Sequence, residues 1–190
     1  MFVRLASPIQ KNSIVDGEGL RAVVWAQGCK HNCPGCHNPE THDMMGGFEI
    51  DVEEVKKQLQ EVANCDGVTF SGGDPMFQPE AFSELAKYAK ELGLNVWCYT
   101  GFEFEKLLQL SKTNKHIANF LSYIDVLVDG RFILEKRSLN LYFRGSTNQR
   151  ILDVKQSLSL EQAVEIEKYK REKPISRYDS MKNQNDGIFV

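Results

Sequence analysis

No apolar run in this 190-residue chain approaches the roughly 20 residues needed to cross a bilayer. The opening MFVRLASPIQ has none of the apolar centre of a secretory signal, so export is not expected. Positive charge is not in excess either. A formal net charge of -3 supplies no general field for a nucleic acid, although a local basic patch could survive it. Cysteine is scarce and unevenly placed: Cys29, Cys33 and Cys36 stand together, whereas Cys65 and Cys98 stand alone. A secreted disulfide framework would be evenly spread and paired, so a reducing cytoplasm is the expected setting, with no membrane and no nucleic acid as partner. The spaced-glycine dinucleotide fingerprint and the phosphate-loop lysine pattern are also missing, which removes two common nucleotide-binding loops.

What is present is the composition of an ordinary globule, 42% hydrophobic and 26% charged, with enough length for one domain around a sizeable core. LRAVVWA at 20–26 reads as a strand. Asp51 and Glu54 have the spacing of a helix cap before a helix over 52–63, with Val52, Val55, Leu59 and Val62 on one face. GVTFS at 67–71 is the next strand, halted by Gly72-Gly73-Asp74-Pro75. Pro79 opens a helix with an apolar stripe of Phe82, Leu85, Ala86 and Ala89, closed by Gly93. A strand over 94–99 follows, then a short helix to Leu110 with Thr100 and Glu103 as its capping pair. Strands are expected at 123–128 and 150–154, with a short one through 141–143 and a last helix capped by Ser159 and Gln162. Residues 176–190 are polar without a periodic face and read as a loosely packed tail.

This strand–helix grammar predicts an α/β fold with a mainly parallel sheet, because the strands at 67–71 and 123–128 are apolar without alternation and want both faces covered. A partial β/α barrel and an open doubly wound sheet both satisfy the pattern. In either, the site sits at the C-terminal ends of the strands, so the loops at 27–39, 72–75, 100–101 and 129–130 should share one rim.

The first of those loops, GCKHNCPGCHNPETH, crowds Cys29, Cys33 and Cys36 with His31, His37 and His42. Three thiolates suit a cubane cluster that keeps one iron open. They also suit a structural zinc clip if a histidine supplies the fourth ligand, although the spacing is not the usual pair and distant pair. Gly72 and Gly73 allow close backbone approach where a strand meets the rim, as would an ordinary tight turn.

The ordered set VDGEGLR (15–21), GCKHNCPGCHNPETH (28–42), FSGGDP (70–75), WCYTGF (97–102), DVLVDGRF (125–132) and FRGSTNQRILD (143–153) resembles the radical S-adenosylmethionine superfamily. Within it the finer similarity is to the activators of anaerobic ribonucleoside-triphosphate reductase. The resemblance implies a single radical S-adenosylmethionine domain over 1–190, a partial barrel, and a [4Fe–4S] cluster held by Cys29, Cys33 and Cys36. The open iron would be chelated by S-adenosylmethionine, with Ser71, Gly72, Gly73 and Asp74 cradling its methionine end. Tyr99, Thr100 and Asp129 are candidates for lining the cofactor or partner channel; for Asp129 a capping role is equally expected. The implied reaction is reductive cleavage of S-adenosylmethionine and formation of a glycyl radical on the large subunit of the reductase, with reduced flavodoxin as donor. Arg131 and residues 144–150 are expected at the edge of the partner surface.

Two departures stand out. Gly35 occupies a position that is often aromatic in the superfamily, and Asp74 a position that is often glutamate. A pyruvate formate-lyase type activator, a small-heterocycle synthase and a zinc-binding interaction module are the competing readings.

Overall fold

The computed structural model describes residues 1–171, so the expected tail at 176–190 lies outside the described residues. In chain order the strands are β1 (Phe2–Leu5), β2 (Gln10–Ser13), β3 (Arg21–Ala26), β4 (Phe48–Asp51), β5 (Gly67–Gly72), β6 (Asn95–Tyr99), β7 (Val126–Asp129) and β8 (Arg150–Asp153). The helices are α1 (Val52–Glu61), α2 (Pro79–Glu91), α3 (Phe104–Ser111), α4 (Lys115–Tyr123), α5 (Val154–Leu160) and α6 (Glu167–Lys170). The sheet order is β4-β1-β3-β5-β6-β7-β8, with β2 paired to β3. β3, β5, β6 and β7 are parallel neighbours, and the flanking pairings are antiparallel. The sheet is therefore mixed with a parallel centre. Among the described residues no pairing joins β4 to β8.

Strand alternation sorts side chains onto two faces. Val24, Val68, Phe70, Val96, Cys98, Leu127 and Leu152 face the helices and join the apolar stripes of α1, α2, α3 and α4 in the main core. Trp97, Val126, Val128 and Ile151 point the other way, where Tyr169 of α6 and the partly buried Tyr99, Tyr142 and Phe143 cover them. Both faces are thus buried, which is why the central strands read as unbroken apolar runs. One end of the second face is closed by Arg21, which is 1% exposed. Its guanidinium donates to Thr69 Oγ1, Glu18 O, Val68 O and Asn95 O and stacks over Trp97 at 5.3 Å. Burial pulls its pKa down to about 10.

Several expectations need correction. Tyr123 ends α4 rather than opening a strand, because Asn114 caps that helix through the His116 and Ile117 amides; His116 therefore sits on a helix. Residues 141–143 form no strand: Phe143 turns with φ 41° and packs edge-on against Trp97. Asp153 caps α5 through the Gln156 amide, which puts Ser159 inside that helix and leaves the Ser159–Gln162 cap unmade. β1, β2 and β4 are additions at the antiparallel edge.

Candidate metal centre

The four parallel strands deliver their following loops to one rim, around a cavity of about 530 Å³. Cys29, Cys33, Cys36, Ser71, Gly72, Gly73, Asp74, Tyr99 and Thr100 all line it. Of the candidates for holding the cluster or lining the cofactor channel, Asp129 does not, and neither does Arg131 from the expected partner edge.

The cysteine loop leaves β3 and is tied shut at its base, where the Gly28 and Cys29 amides donate to Thr41 O and His42 O. Gln27, 3% exposed, steadies it further through Asp43 O at 2.7 Å. The double glycine explains how the loop reaches the next strand. A Cβ on Gly72 would lie 2.7 Å from Ala26 O, and one on Gly73 would lie 2.5 Å from Gly28 O. In that space the Gly73 amide donates to Ala26 O at 2.7 Å, and the Asp74 amide to Gly28 O at 3.0 Å. The glycines let the cysteine loop lie directly on the end of β5.

Asp74, 1% exposed, joins three rim loops. Its Oδ2 lies 2.7 Å from His31 Nε2 and accepts from the Thr100 hydroxyl at 2.9 Å and the Gly101 amide at 3.0 Å. Its Oδ1 accepts from the Met76 amide. An acceptor-only carboxylate places the shared proton on His31 Nε2. His31 packs against Phe77 and Phe102, which also touch each other, and a Cβ on Gly101 would strike its ring at 2.4 Å. The Thr100 hydroxyl therefore serves this node, not the capping pair expected with Glu103. That capping task falls to Asp129, whose Oδ2 accepts from the Phe104 amide at 2.8 Å while Arg150 pairs with both its oxygens. Arg150 also pairs with Glu105. Asp129 thus braces the rim from beneath.

The segment from Gly130 to Gln149 folds back over the cysteine loop. Leu134 packs where a side chain on Gly35 would stand, 2.9 Å from that Cβ, and Phe132 lies against His37 with ring centroids 5.2 Å apart. Gln149 pins the segment, accepting from the Gly145 and Ser146 amides and donating to Gly130 O. Tyr99 donates its hydroxyl to Phe143 O at 2.9 Å, and burial pushes its phenol well above the ordinary range. Leu134 is a site residue that sequence alone left without a role; His31 was weighed there as a fourth zinc ligand, and Gln149 only within the expected partner edge at 144–150, in the motif FRGSTNQRILD.

The donor set fits an iron–sulfur cluster. Backbone amides of His31 and Asn32 reach the Cys29 sulfur, that of Phe132 the Cys33 sulfur, and that of Asn38 the Cys36 sulfur at 3.4 Å. Such donors favour sulfur anions and tune a cluster's potential. Burial still pushes the bare Cys29 thiol up to about 11 and raises Cys33, so loading a metal must displace protons. Among the described residues no three Cys, His, Asp or Glu side chains form a set that would hold a single ion. A cubane asks for less convergence, since each thiolate takes its own iron.

A family model described as a 4Fe-4S single cluster domain matches residues 15–152. The chain belongs to this family. It is 33% identical to the anaerobic ribonucleoside-triphosphate reductase-activating protein of Pasteurella multocida over 147 residues, 73% of this chain and 90% of that protein. The protein of the same name from Enterobacteria phage T4 is 32% identical over 72% of this chain and 86% of its own length. The pyruvate formate-lyase-activating enzyme of Clostridium pasteurianum is 42% identical over 92 residues, 46% of this chain and 39% of that enzyme. The named relatives are activating enzymes, and the three clustered cysteines of this chain line one cavity.

Proposed function

We propose that this chain is an activating enzyme that cleaves S-adenosylmethionine at a [4Fe–4S] cluster and installs a glycyl radical on an anaerobic ribonucleoside-triphosphate reductase. The observation that carries this is the meeting of three cysteines with the Ser71–Asp74 turn on one cavity. Cys29, Cys33 and Cys36 would hold the cluster, which supplies one electron to the sulfonium when S-adenosylmethionine completes its open iron. Around it the chain's own groups position. Amides aimed at the sulfurs help set the potential. Ser71, Gly72 and Gly73 present their backbone to the cofactor's methionine end, while Asp74 keeps that turn, the cysteine loop and Thr100 in one register. Tyr99, fixed to Phe143, walls the cavity. Bringing the reacting carbon and the target Cα–H together before water intervenes is the protein's main contribution.

The mixed sheet then serves as a partial barrel with its site at the C-terminal strand ends, within one domain over 1–190. The reaction is cytoplasmic, with reduced flavodoxin as donor and the reductase's large subunit as partner; neither nucleic acid nor membrane takes part. Among the described residues no helix is long and apolar enough to cross a membrane. A second reading, activation of a pyruvate formate-lyase, is favoured by the 42% match, which spans less than half of either chain.

Electron paramagnetic resonance separates the two. Anaerobically reconstituted activator, reductant and S-adenosylmethionine are mixed with each candidate partner in turn. A glycyl doublet on the reductase and none on the formate-lyase is expected. The reverse result, or a doublet on neither, overturns the assignment.

A further inference from the structure

Resting on that reading, we propose that residues 131–144 form a cationic and apolar grip for the partner, fitted to an acidic segment of the reductase next to its target glycine. Four cations, Arg131, Lys136, Arg137 and Arg144, stand in this stretch against the single anion Glu135, although the whole chain carries a net charge of -3. Among the described residues, none of the four side chains makes an ion pair or a hydrogen bond, while Arg150, just beyond, is fully engaged by Asp129 and Glu105.

Arg137 and Arg144 line the cysteine cavity, and the Nε of Arg144 is buried without a partner. A buried guanidinium donor left open is costly, so an incoming acceptor is the natural complement. Of the carboxylates lining the cavity, Asp16 already accepts from the Ser13 hydroxyl at 2.5 Å and Asp74 from Thr100 and Gly101, while Glu165, whose charge acts on Arg144, makes no ion pair with it. Arg131 sits on the same segment, near enough to Cys33 to act on its charge.

Apolar side chains lie at the same mouth. Val15 and Leu139 both line the cavity yet are 71% and 80% exposed, and Ile14 beside Val15 is 71% exposed. Exposure of that extent next to a polar rim marks a contact surface. Two guanidinium groups lining one cavity suit a segment that carries more than one carboxylate better than a single chain terminus. The occupant is therefore a stretch of the partner with Asp or Glu side chains set among apolar ones. Guanidinium groups also offer the paired donors that carboxylates accept, which makes arginine the better grip than lysine.

The test measures binding of full-length, anaerobically reconstituted activator to the intact reductase by surface plasmon resonance over a range of salt concentrations. Arg137→Glu combined with Arg144→Glu should weaken binding by at least about tenfold and flatten its salt dependence, since buried and rim charges act on affinity and encounter rate. Leu139→Asp should weaken binding with the salt dependence retained. Arg137→Lys should keep the salt dependence, and the circular dichroism of each variant should match the parent because these side chains anchor nothing in the fold. Parental affinity and salt slope in the double reversal would overturn the grip. Salt-sensitive binding to a DNA or RNA probe, with none to the reductase, would overturn it in favour of a nucleic acid. A parent protein that neither binds nor activates the reductase would instead bring down the functional reading beneath it. A parent that activates the reductase, with variants that bind equally well, would refute the grip alone.

Discussion

Replacing Asp74 by alanine should unlock the rim, and the size of the effect follows from its partners. The carboxylate accepts from the Thr100 hydroxyl and the Gly101 and Met76 amides and holds His31 Nε2, all around a residue that is 1% exposed. Each orphaned buried group costs about 1–3 kcal/mol. A simple sum overshoots, because the Thr100 hydroxyl can turn and water can enter, so the net loss should resemble that of a broken buried charge pair, about 3–5 kcal/mol. For a chain of this length that lowers Tm by roughly 6–20 °C. Asp74→Asn keeps the acceptor for Met76 but turns an amide toward the Gly101 N–H, and should fall between alanine and the parent. Anaerobic thermal unfolding followed by circular dichroism measures the first effect, and iron incorporation the second. An alanine variant that unfolds within 1 °C of the parent and loads its full iron would refute the idea that this carboxylate joins the three loops.

Gly73→Ala should push the cysteine loop off β5, since the new methyl would meet Gly28 O at 2.5 Å; a destabilisation of about 1–3 kcal/mol and reduced iron loading are expected by chemical denaturation and iron assay. Arg150→Ala should cost about 3–5 kcal/mol by leaving the Asp129 carboxylate buried with a single amide donor, whereas Glu105→Ala, half exposed, should cost under about 1 kcal/mol. For the metal-free protein, the Cys29 thiol is raised in the folded state, so folding holds its proton more tightly than the unfolded chain does. That contribution is intact below the ordinary thiol value near 9.0 and is lost as pH climbs toward about 11. Urea unfolding at stepped pH should show stability falling across that window, and Cys29→Ser should make the fall shallower.

The parallel centre was legible because β3, β5, β6 and β7 are buried on both faces and read as continuous apolar runs. The antiparallel edge was not. β2 is the polar tetrapeptide QKNS, and its pairing with Val23 and Arg21 is set by tertiary contact that no local pattern announces. α4 carried a readable signal in Asn114 followed by Ile117, Phe120 and Leu121, yet no helix was expected between Leu110 and the strand placed at 123. The cysteine loop and the double glycine were found as chemistry, whereas their mechanical relation, one backbone lying on the other, appears only in three dimensions. Asp74 illustrates the same limit. Its likeness to a glutamate position marked it for the cofactor, and the structure adds a partner in His31 from a loop 43 residues away. The empty position at Gly35 also gains a reason, since Leu134 occupies the space a larger residue would need.

The most direct test measures 5′-deoxyadenosine and methionine released from S-adenosylmethionine by the reduced, anaerobically reconstituted protein, beside its iron and sulfide content. About four irons per chain and equimolar release of the two products are expected from the parent, with both lost in Cys29→Ala, Cys33→Ala and Cys36→Ala. A preparation that binds zinc through these cysteines and a histidine, or a cysteine variant that still cleaves the sulfonium at the parental rate, would contradict it.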